Sequence, residues 1–150
     1  MPHETHHASY LLSDDPSRVD LDVVHAYLSH ESYWAKNVPR EIVAVSLQNS
    51  LCVGAYAEDG AQVGLARVIT DFATYAWLCD VFVLAAHRRH GLGKALVEAV
   101  MRHPRLQTLR RFALATQDAH GLYAQFGFTP LPAPERHLEK RNFIGYPERL

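Results

Sequence analysis

The sequence has few cysteines and no long apolar run. Only two of its 150 residues are cysteines, Cys52 and Cys79, and both lie in apolar, strand-like segments. Buried free thiols in a reducing compartment are therefore expected. No segment approaches the roughly 18 consecutive apolar residues of a membrane span. The polar start MPHETHHASY also lacks the apolar core of a secretory signal. We expect a cytoplasmic protein that forms one domain.

The chain also lacks a surplus of charge of either sign. It carries 15 basic and 16 acidic residues, which gives a formal net charge of −1. Binding to nucleic acid or to an anionic membrane through charge alone needs a basic surplus. The composition therefore predicts that neither nucleic acid nor a membrane is a partner.

A metal motif at the start of the chain lacks the context that it needs. The letters HETHH, from His3 to His7, match the zinc pattern H-E-x-x-H. That chemistry requires both histidines on one face of a stable helix and a third ligand. Here the match follows Pro2, with no apolar periodicity around it. We expect a flexible N-terminus over residues 1–8 and no metal.

The apolar spacing predicts strands and helices in a mixed α/β order. Two helices are predicted early, one capped by Asp20 and one beginning near Pro39 with Ile42, Val45 and Asn49 on one stripe. A hairpin is predicted at EDGA, between two strands. Predicted strands are SYLLSDD, LCVGAYA, QVGLARVIT, YAWLCDVFVL and RFALAT, with GFTPL and HLEKRNF as two final candidates.

The stretch HRRHGLGKAL, from His87 to Leu96, connects the long apolar strand to a third predicted helix. A helix N-terminus offers unpaired N–H groups and partial positive charge. Gly91 and Gly93 let the backbone approach a ligand closely. Further positive charge comes from Arg88, Arg89, His90 and Lys94. The pattern indicates a phosphate-binding turn, with a plain solvated basic turn as the alternative.

Two common phosphate motifs do not fit this turn. The dinucleotide pattern G-x-G-x-x-G fails because Leu96 stands where the third glycine belongs. The Walker pattern fails because Ala95 follows Gly93-Lys94, where Ser or Thr is needed. What remains is R-x-x-G-x-G, formed by Arg88, Gly91 and Gly93.

The segment VFVLAAHRRHGLGKAL resembles the acetyl-CoA signature of the GNAT superfamily of acyl-CoA N-acyltransferases, in which a strand leads to R-x-x-G-x-G/A and a helix. ATQDAHGLYAQFGFTPL is similar to the later signature of that superfamily, and the two follow in the family's order. The resemblance implies one N-acetyltransferase domain over residues 9–146. It also implies a mixed, mostly antiparallel sheet of six to seven strands, flanked by about four helices and splayed to admit CoA.

The resemblance also assigns the site for acetyl-CoA as co-substrate. It implies that backbone N–H groups of residues 89–94 bind the pyrophosphate, and that Val81 and Val83 pair with the pantetheine arm like an added strand. Many members have Asn where Thr116 stands, so that contact is expected to be weaker or made differently. The implied cofactor-binding residues are Val81, Val83, Arg88, Arg89, His90, Gly91, Leu92, Gly93, Lys94 and Thr116.

Two residues are candidates for the proton transfers. Tyr123 is the candidate acid for the departing thiolate, as in family members that use this tyrosine, because a phenol stays protonated at neutral pH. Its spacing alone favours a core residue. Asp80 interrupts an apolar strand and is the candidate base. The alternatives are a structural Asp near a bulge and a water relay without a dedicated carboxylate.

The acceptor pocket is expected in the loop after the first helix and at the start of the long strand. Aromatic side chains beside carboxylates suit a cationic, partly apolar amine, although ordinary core and rim residues would give the same pattern. The candidates are Glu31, Tyr33, Trp34, Tyr75 and Trp77.

These assignments predict an acetyl-CoA-dependent N-acetyltransferase. It would move the acetyl group to a primary amine of a small molecule by direct attack in a ternary complex. The alternative is a catalytically inactive CoA-binding module for sensing or assembly. A homodimer is a further possibility.

Overall fold

The computed structural model describes residues 1–148, and its centre is one six-stranded sheet whose strands lie in chain order. All neighbouring strands are antiparallel except β5 and β6, which run parallel. The strands are β1 (Glu4–His7), β2 (Tyr10–Ser13), β3 (Leu51–Tyr56), β4 (Gln62–Thr70), β5 (Tyr75–Val83) and β6 (Arg111–Leu114).

Four α-helices accompany the sheet, and apolar cores lie on both of its faces. Helices α1 (Leu21–His30) and α2 (Arg40–Gln48) pack on one face around Val24, Leu28 and Val43. On the other face, α3 (Leu92–Met101) buries Leu92, Leu96 and Val100, the stripe that the sequence predicts. The fourth helix, α4 (His120–Ala124), is short. The predicted mixed, mostly antiparallel α/β fold is confirmed.

Local signals correctly marked several ends of these elements. Asp20 caps α1, because its Oδ1 accepts hydrogen bonds from the amides of Asp22 and Val23 at 3.0 and 3.2 Å. The β3–β4 hairpin turns at Gly60, which has φ +88°. After α4 the chain turns at Gly127, with φ +89°, a conformation in which glycine is favoured.

The stripe predicted for α2 was wrong. Ile42 and Val45 are 46% and 56% exposed, whereas Val43 is 2% exposed and packs against α1. The helix carries apolar residues on more than one side, so spacing alone does not show which side faces the sheet.

The predicted flexible N-terminus differs from the structure. Residues 4–7 form strand β1, which pairs with β2 from Glu4↔Ser13 to His7↔Tyr10. Alternating side chains in a strand do not give the helical face that the H-E-x-x-H zinc motif requires.

The two final strands are also absent from the described residues. After β6 and α4 the chain continues without a strand as far as residue 148, with only a 3₁₀ turn at Pro134–Arg136. Three prolines at alternate positions, Pro130, Pro132 and Pro134, each remove a backbone donor that a ladder would need.

No helix in the described residues is long and apolar enough to cross a membrane.

Candidate functional site

The sheet opens between β5 and β6. Their pairing ends at Leu78↔Leu114, whereas β5 continues to Val83 and stays paired with β4 on its other side. The backbone of residues 79–83 therefore has an edge toward the opening that pairs with no strand in residues 1–148, and on it the Val83 carbonyl is bonded by Arg88. A free strand edge can pair with an extended ligand through its unused N–H and C=O groups.

A cavity of about 530 Å³ lies at the end of this edge. Val81 and Val83 form part of its wall, and Tyr123 lies among its other lining residues. It is also lined by Arg88, Arg89, Gly91, Leu92 and Gly93. Most of the expected CoA-binding residues thus meet around one opening, although His90, Lys94 and Thr116 lie outside its wall.

The backbone of residues 88–93, here called the glycine loop, has the shape of an anion cradle. Arg89 and Gly91 both adopt the left-handed conformation, with φ +69° and +73°. Gly91 is the N-cap of α3, and no side chain caps this helix end. The first N–H groups of α3 therefore face the loop without a side-chain acceptor, which suits phosphate oxygens.

The side chain of Arg88 supports the strand end. Its Nε donates a hydrogen bond to the carbonyl of Val83 at 3.0 Å, and its guanidinium also reaches the Tyr27 hydroxyl at 3.2 Å. Arg88 therefore fixes the glycine loop to β5 and α1, and adds positive charge beside the cavity at the same time.

A second cavity, of about 460 Å³, adjoins the first. Trp77, Cys79, Asp80 and Thr116 line only the second one. Both cavities are lined by Tyr33, Trp34, Val81, Asp118, Ala119 and Tyr123. These shared residues mark the place where a ligand in one cavity would meet a ligand in the other.

Tyr123 lies at this junction. It is 9% exposed, and its ring packs edge-on against Phe128 with centroids 6.0 Å apart. Burial, together with the nearby Tyr33 and Asp118, raises its pKa above the usual value for a phenol. The hydroxyl therefore keeps its proton at neutral pH and can donate it. The tyrosine is part of the core and also lines both cavities.

Asp80 is held by two neighbours. Its Oδ2 forms an ion pair with the Nε of Arg67 at 2.7 Å, and its Oδ1 accepts a hydrogen bond from the indole N–H of Trp34, also at 2.7 Å. Asp80 has φ +49°, and the β4–β5 register shifts between Leu65 and Arg67. The residue thus lies in a β-bulge, where two residues oppose one.

Asp80 and Val81 point to opposite faces of the sheet, as strand alternation predicts. The Asp80 carboxylate contacts Arg67 and Trp34 on the α1 side of the sheet, whereas Val81 packs against the core on the α3 side, although both residues line the second cavity. Trp34, on the loop after α1, is fixed there through its bond to Asp80. The carboxylate therefore connects β4 and β5 to the aromatic wall of the cavity.

The expected acceptor residues do not all meet in one place. Tyr33, Trp34 and Trp77 line the second cavity, but Glu31 lines only the first. Tyr75 lies beside the start of β6, in another groove. Six residues of strand at about 3.3 Å each separate it from Val81, which is too far to share a small pocket.

The sequence did not reveal three contributors to this site. Neither Arg67 nor Gln117 belongs to a local motif. Arg67 reaches Asp80 across a strand pair. The backbone N–H of Gln117 donates a hydrogen bond to the Tyr33 hydroxyl at 3.1 Å. Asp118 lies just before α4, and its place in the sequence indicates only an acidic residue near the start of a helix.

Cys79 also lines the second cavity. Burial raises its pKa to about 12; the charge of Arg67 lowers the pKa, and the charges of Asp80 and Cys52 raise it. A thiol with so high a pKa is a poor nucleophile at neutral pH, since the thiolate is the reactive form.

Within residues 1–148, no group of three or more His, Cys, Asp or Glu side chains is placed to hold a metal ion.

Comparison with known proteins agrees with this geometry. Residues 13–128 match the model of the acetyltransferase (GNAT) family. A protein of Gibberella zeae that carries the name "putative acetyltransferase" is 32% identical, over 77% of this chain and 76% of that protein.

Solved structures give the same fold. A crystal structure from Xanthomonas campestris pv. campestris, described as a "putative acetyltransferase belonging to the GNAT family", is 50% identical, with a TM-score of 0.85 over 94% of each chain. A Mycobacterium tuberculosis protein, solved in complex with CoA, has a TM-score of 0.60 at 21% identity, over 76% of this chain and 70% of that one. The chain belongs to the GNAT family of acetyltransferases.

Proposed function

We propose that this protein is an acetyl-CoA-dependent N-acetyltransferase that acetylates a primary amine of a small molecule by direct attack in a ternary complex. The observation that carries the proposal is the junction of two cavities at Tyr123 and Val81. A cofactor in the first cavity and an amine in the second would present their reacting atoms to each other there. Holding two reactants together in this way removes much of the entropic barrier.

The first cavity fits a CoA thioester. The glycine loop offers left-handed backbone and the uncapped start of α3 to the pyrophosphate. The edge of residues 79–83 that faces the opening suits the amide groups of the pantetheine arm. Bound acetyl-CoA supplies the activated acetyl group, and the residues of this chain orient it and handle the protons.

The second cavity suits a cationic amine with an apolar body. Tyr33, Trp34 and Trp77 contribute aromatic surface, and Asp118 contributes a carboxylate. Ring faces attract an ammonium group, and a carboxylate strengthens that attraction. Because the cavity holds about 460 Å³, we propose a small molecule as the acceptor.

In the transfer, the neutral amine nitrogen attacks the thioester carbonyl carbon, a C–N bond forms and the C–S bond breaks. The nitrogen loses one proton when the ammonium becomes the attacking amine, and a second as the amide forms. The leaving thiolate gains a proton from the Tyr123 phenol, which is protonated at neutral pH. Water then returns a proton to the phenolate.

Asp80 has two possible roles, base and positioning residue, and the geometry favours the second. Both carboxylate oxygens already accept bonds from Arg67 and Trp34. We therefore propose that Asp80 orients Trp34 and that water carries the proton away from the amine. The assignment of Asp80 as the base stays a prediction from the sequence.

Direct attack is preferred over an acetyl-enzyme route because of Cys79. It is a thiol in the acceptor cavity, and burial keeps it protonated. A covalent route would need its thiolate.

The test mixes the protein with acetyl-CoA and a panel of small amines while CoA thiol release is followed. The panel includes aromatic and aliphatic primary amines, with their N,N-dimethyl analogues as controls that cannot yield a stable amide. We expect amine-dependent thiol release and an acetylated product by mass spectrometry. Acetyl-CoA binding without turnover on any amine would instead support an inactive CoA-binding module. The cytoplasmic location and the homodimer stay predictions.

A further inference from the structure

We propose that the β1–β2 hairpin positions the glycine loop through His7 and Tyr10, and so sets the affinity for the pyrophosphate half of acetyl-CoA. The inference rests on the proposed function, since it assumes that the loop binds this pyrophosphate. Both residues precede the region that matches the family, which begins at residue 13.

His7 holds the middle of the glycine loop. Its Nε2 lies 2.7 Å from the carbonyl oxygen of His90, and this nitrogen donates the hydrogen bond because a carbonyl can only accept. His90 stands between Arg89 and Gly91, the two residues with left-handed backbone. The His7 ring also lies against Gly91, where an added Cβ would be 3.4 Å from Nε2.

Tyr10 holds the residue that leads into the loop. Its hydroxyl is hydrogen-bonded to Nδ1 of His87 at 2.9 Å, and the two rings meet edge-on with centroids 5.7 Å apart. His87 itself lines the first cavity. Because His7 and Tyr10 are paired across the hairpin, the two contacts come from one rigid unit.

The other end of β1 is fixed independently. Glu4 accepts a hydrogen bond from Ser13 and forms an ion pair with Arg18 at 3.2 Å, and the backbone N–H of His3 donates to Asp14 at 2.7 Å. Removing the His7 side chain therefore leaves β1 in place and removes only the contact with the loop.

The contact matters because the loop conformation is strained. A residue with a Cβ in the left-handed region, such as Arg89, persists only where its surroundings hold it. The bond from His7 fixes the peptide between His90 and Gly91, which comes one residue after Arg89. Without it, the loop samples other conformations, and binding must first restore the cradle. The apparent affinity is then reduced in proportion to the fraction of molecules whose loop has the binding conformation.

The experiment compares His7→Ala with His6→Ala, a matched control in which the neighbouring exposed histidine on the same strand is removed. Calorimetry gives the Kd for acetyl-CoA, and NMR titration gives the Kd for S-acetylpantetheine, which has the thioester arm but no pyrophosphate. We expect His7→Ala to weaken acetyl-CoA about fivefold to tenfold, the usual effect of one hydrogen bond. The Kd for S-acetylpantetheine should change less than twofold. His6→Ala should match the parent for both ligands.

His7→Gln provides a rescue, because its amide N–H can donate to the same carbonyl; it should recover part of the lost affinity. Tyr10→Phe should weaken acetyl-CoA in the same selective way. An equal loss of affinity for both ligands would mean that β1 supports the whole domain, and it would overturn the inference. Unchanged affinity of His7→Ala for acetyl-CoA would also overturn it. If the parent protein does not bind acetyl-CoA, the proposed function fails and the inference fails with it.

Discussion

Replacing Tyr123 by Phe is the most direct test of the chemistry. The ring keeps its packing against Phe128, and only the hydroxyl at the junction of the two cavities is lost. General acid catalysis is typically worth about 10²–10⁴-fold. That range corresponds to about 2.7–5.4 kcal/mol of transition-state stabilisation. The free energy of unfolding should change by less than about 1 kcal/mol, because no charged partner is left behind.

The loss should appear in kcat and leave the affinity for acetyl-CoA nearly unchanged, because the proton is needed only in the transition state. Single-turnover rapid-quench measurements are the suitable assay, since they remove product release from the rate. Tyr56→Phe is the matched control. Tyr56 is also buried, it lines neither cavity, and its hydroxyl is buried without a hydrogen-bond partner. That variant should turn over at the parental rate and be equally or more stable. A Tyr123→Phe single-turnover rate within threefold of the parent would refute the assignment of the acid.

Four further outcomes are expected. Gly91→Val should weaken acetyl-CoA at least about tenfold by calorimetry, because a β-branched residue is strained at φ +73°; unchanged affinity in a folded variant would remove the loop from the site. Asp80→Asn should slow acetylation and preserve the shape of the pH–rate profile if Asp80 only orients Trp34, whereas a loss confined to low pH would identify it as the base. Incubation with acetyl-CoA alone should leave the protein mass unchanged, since burial keeps the Cys79 thiol protonated; a stable gain of one acetyl group there would favour a covalent route. Burial raises the pKa of Cys52 from 9.0 to about 11, so the thiol ionises at lower pH in the unfolded chain than in the folded one. The free energy of unfolding should therefore fall as the pH rises from about 9 to about 11. Over this range the urea midpoint of Cys52→Ala should fall less steeply than that of the parent.

Much of the fold follows from local sequence signals. The caps at Asp20 and Gly127 and the stripe of α3 depend on residues within one or two turns of each other, which is the range that sequence patterns describe. The N-terminal strand was not predictable in this way. Its stability comes from pairing with β2 and from side chains such as His7 that contact a loop 83 positions later in the chain.

The C-terminal segment shows the opposite error. HLEKRNF was predicted as a final strand, but a strand forms only where a partner edge is available. The prolines before it keep the chain extended and remove donors, and within the described residues β6 pairs only with β5. Leu138 and Ile144 consequently remain 97% and 94% exposed.

Asp80 shows why the site itself exceeded what the sequence could give. An Asp in an apolar strand correctly indicated a special position, and its side chain faces away from Val81, as strand alternation predicts. The bulge at Asp80 is set by the pairing of β5 with β4. The same pairing brings Arg67 beside the carboxylate, so the group that interrupts the strand is neutralised by its neighbour across the ladder. The carboxylate at the bulge is thus buried against Arg67 and fixes Trp34 at the acceptor cavity, and neither contact follows from the order of residues along β5 alone.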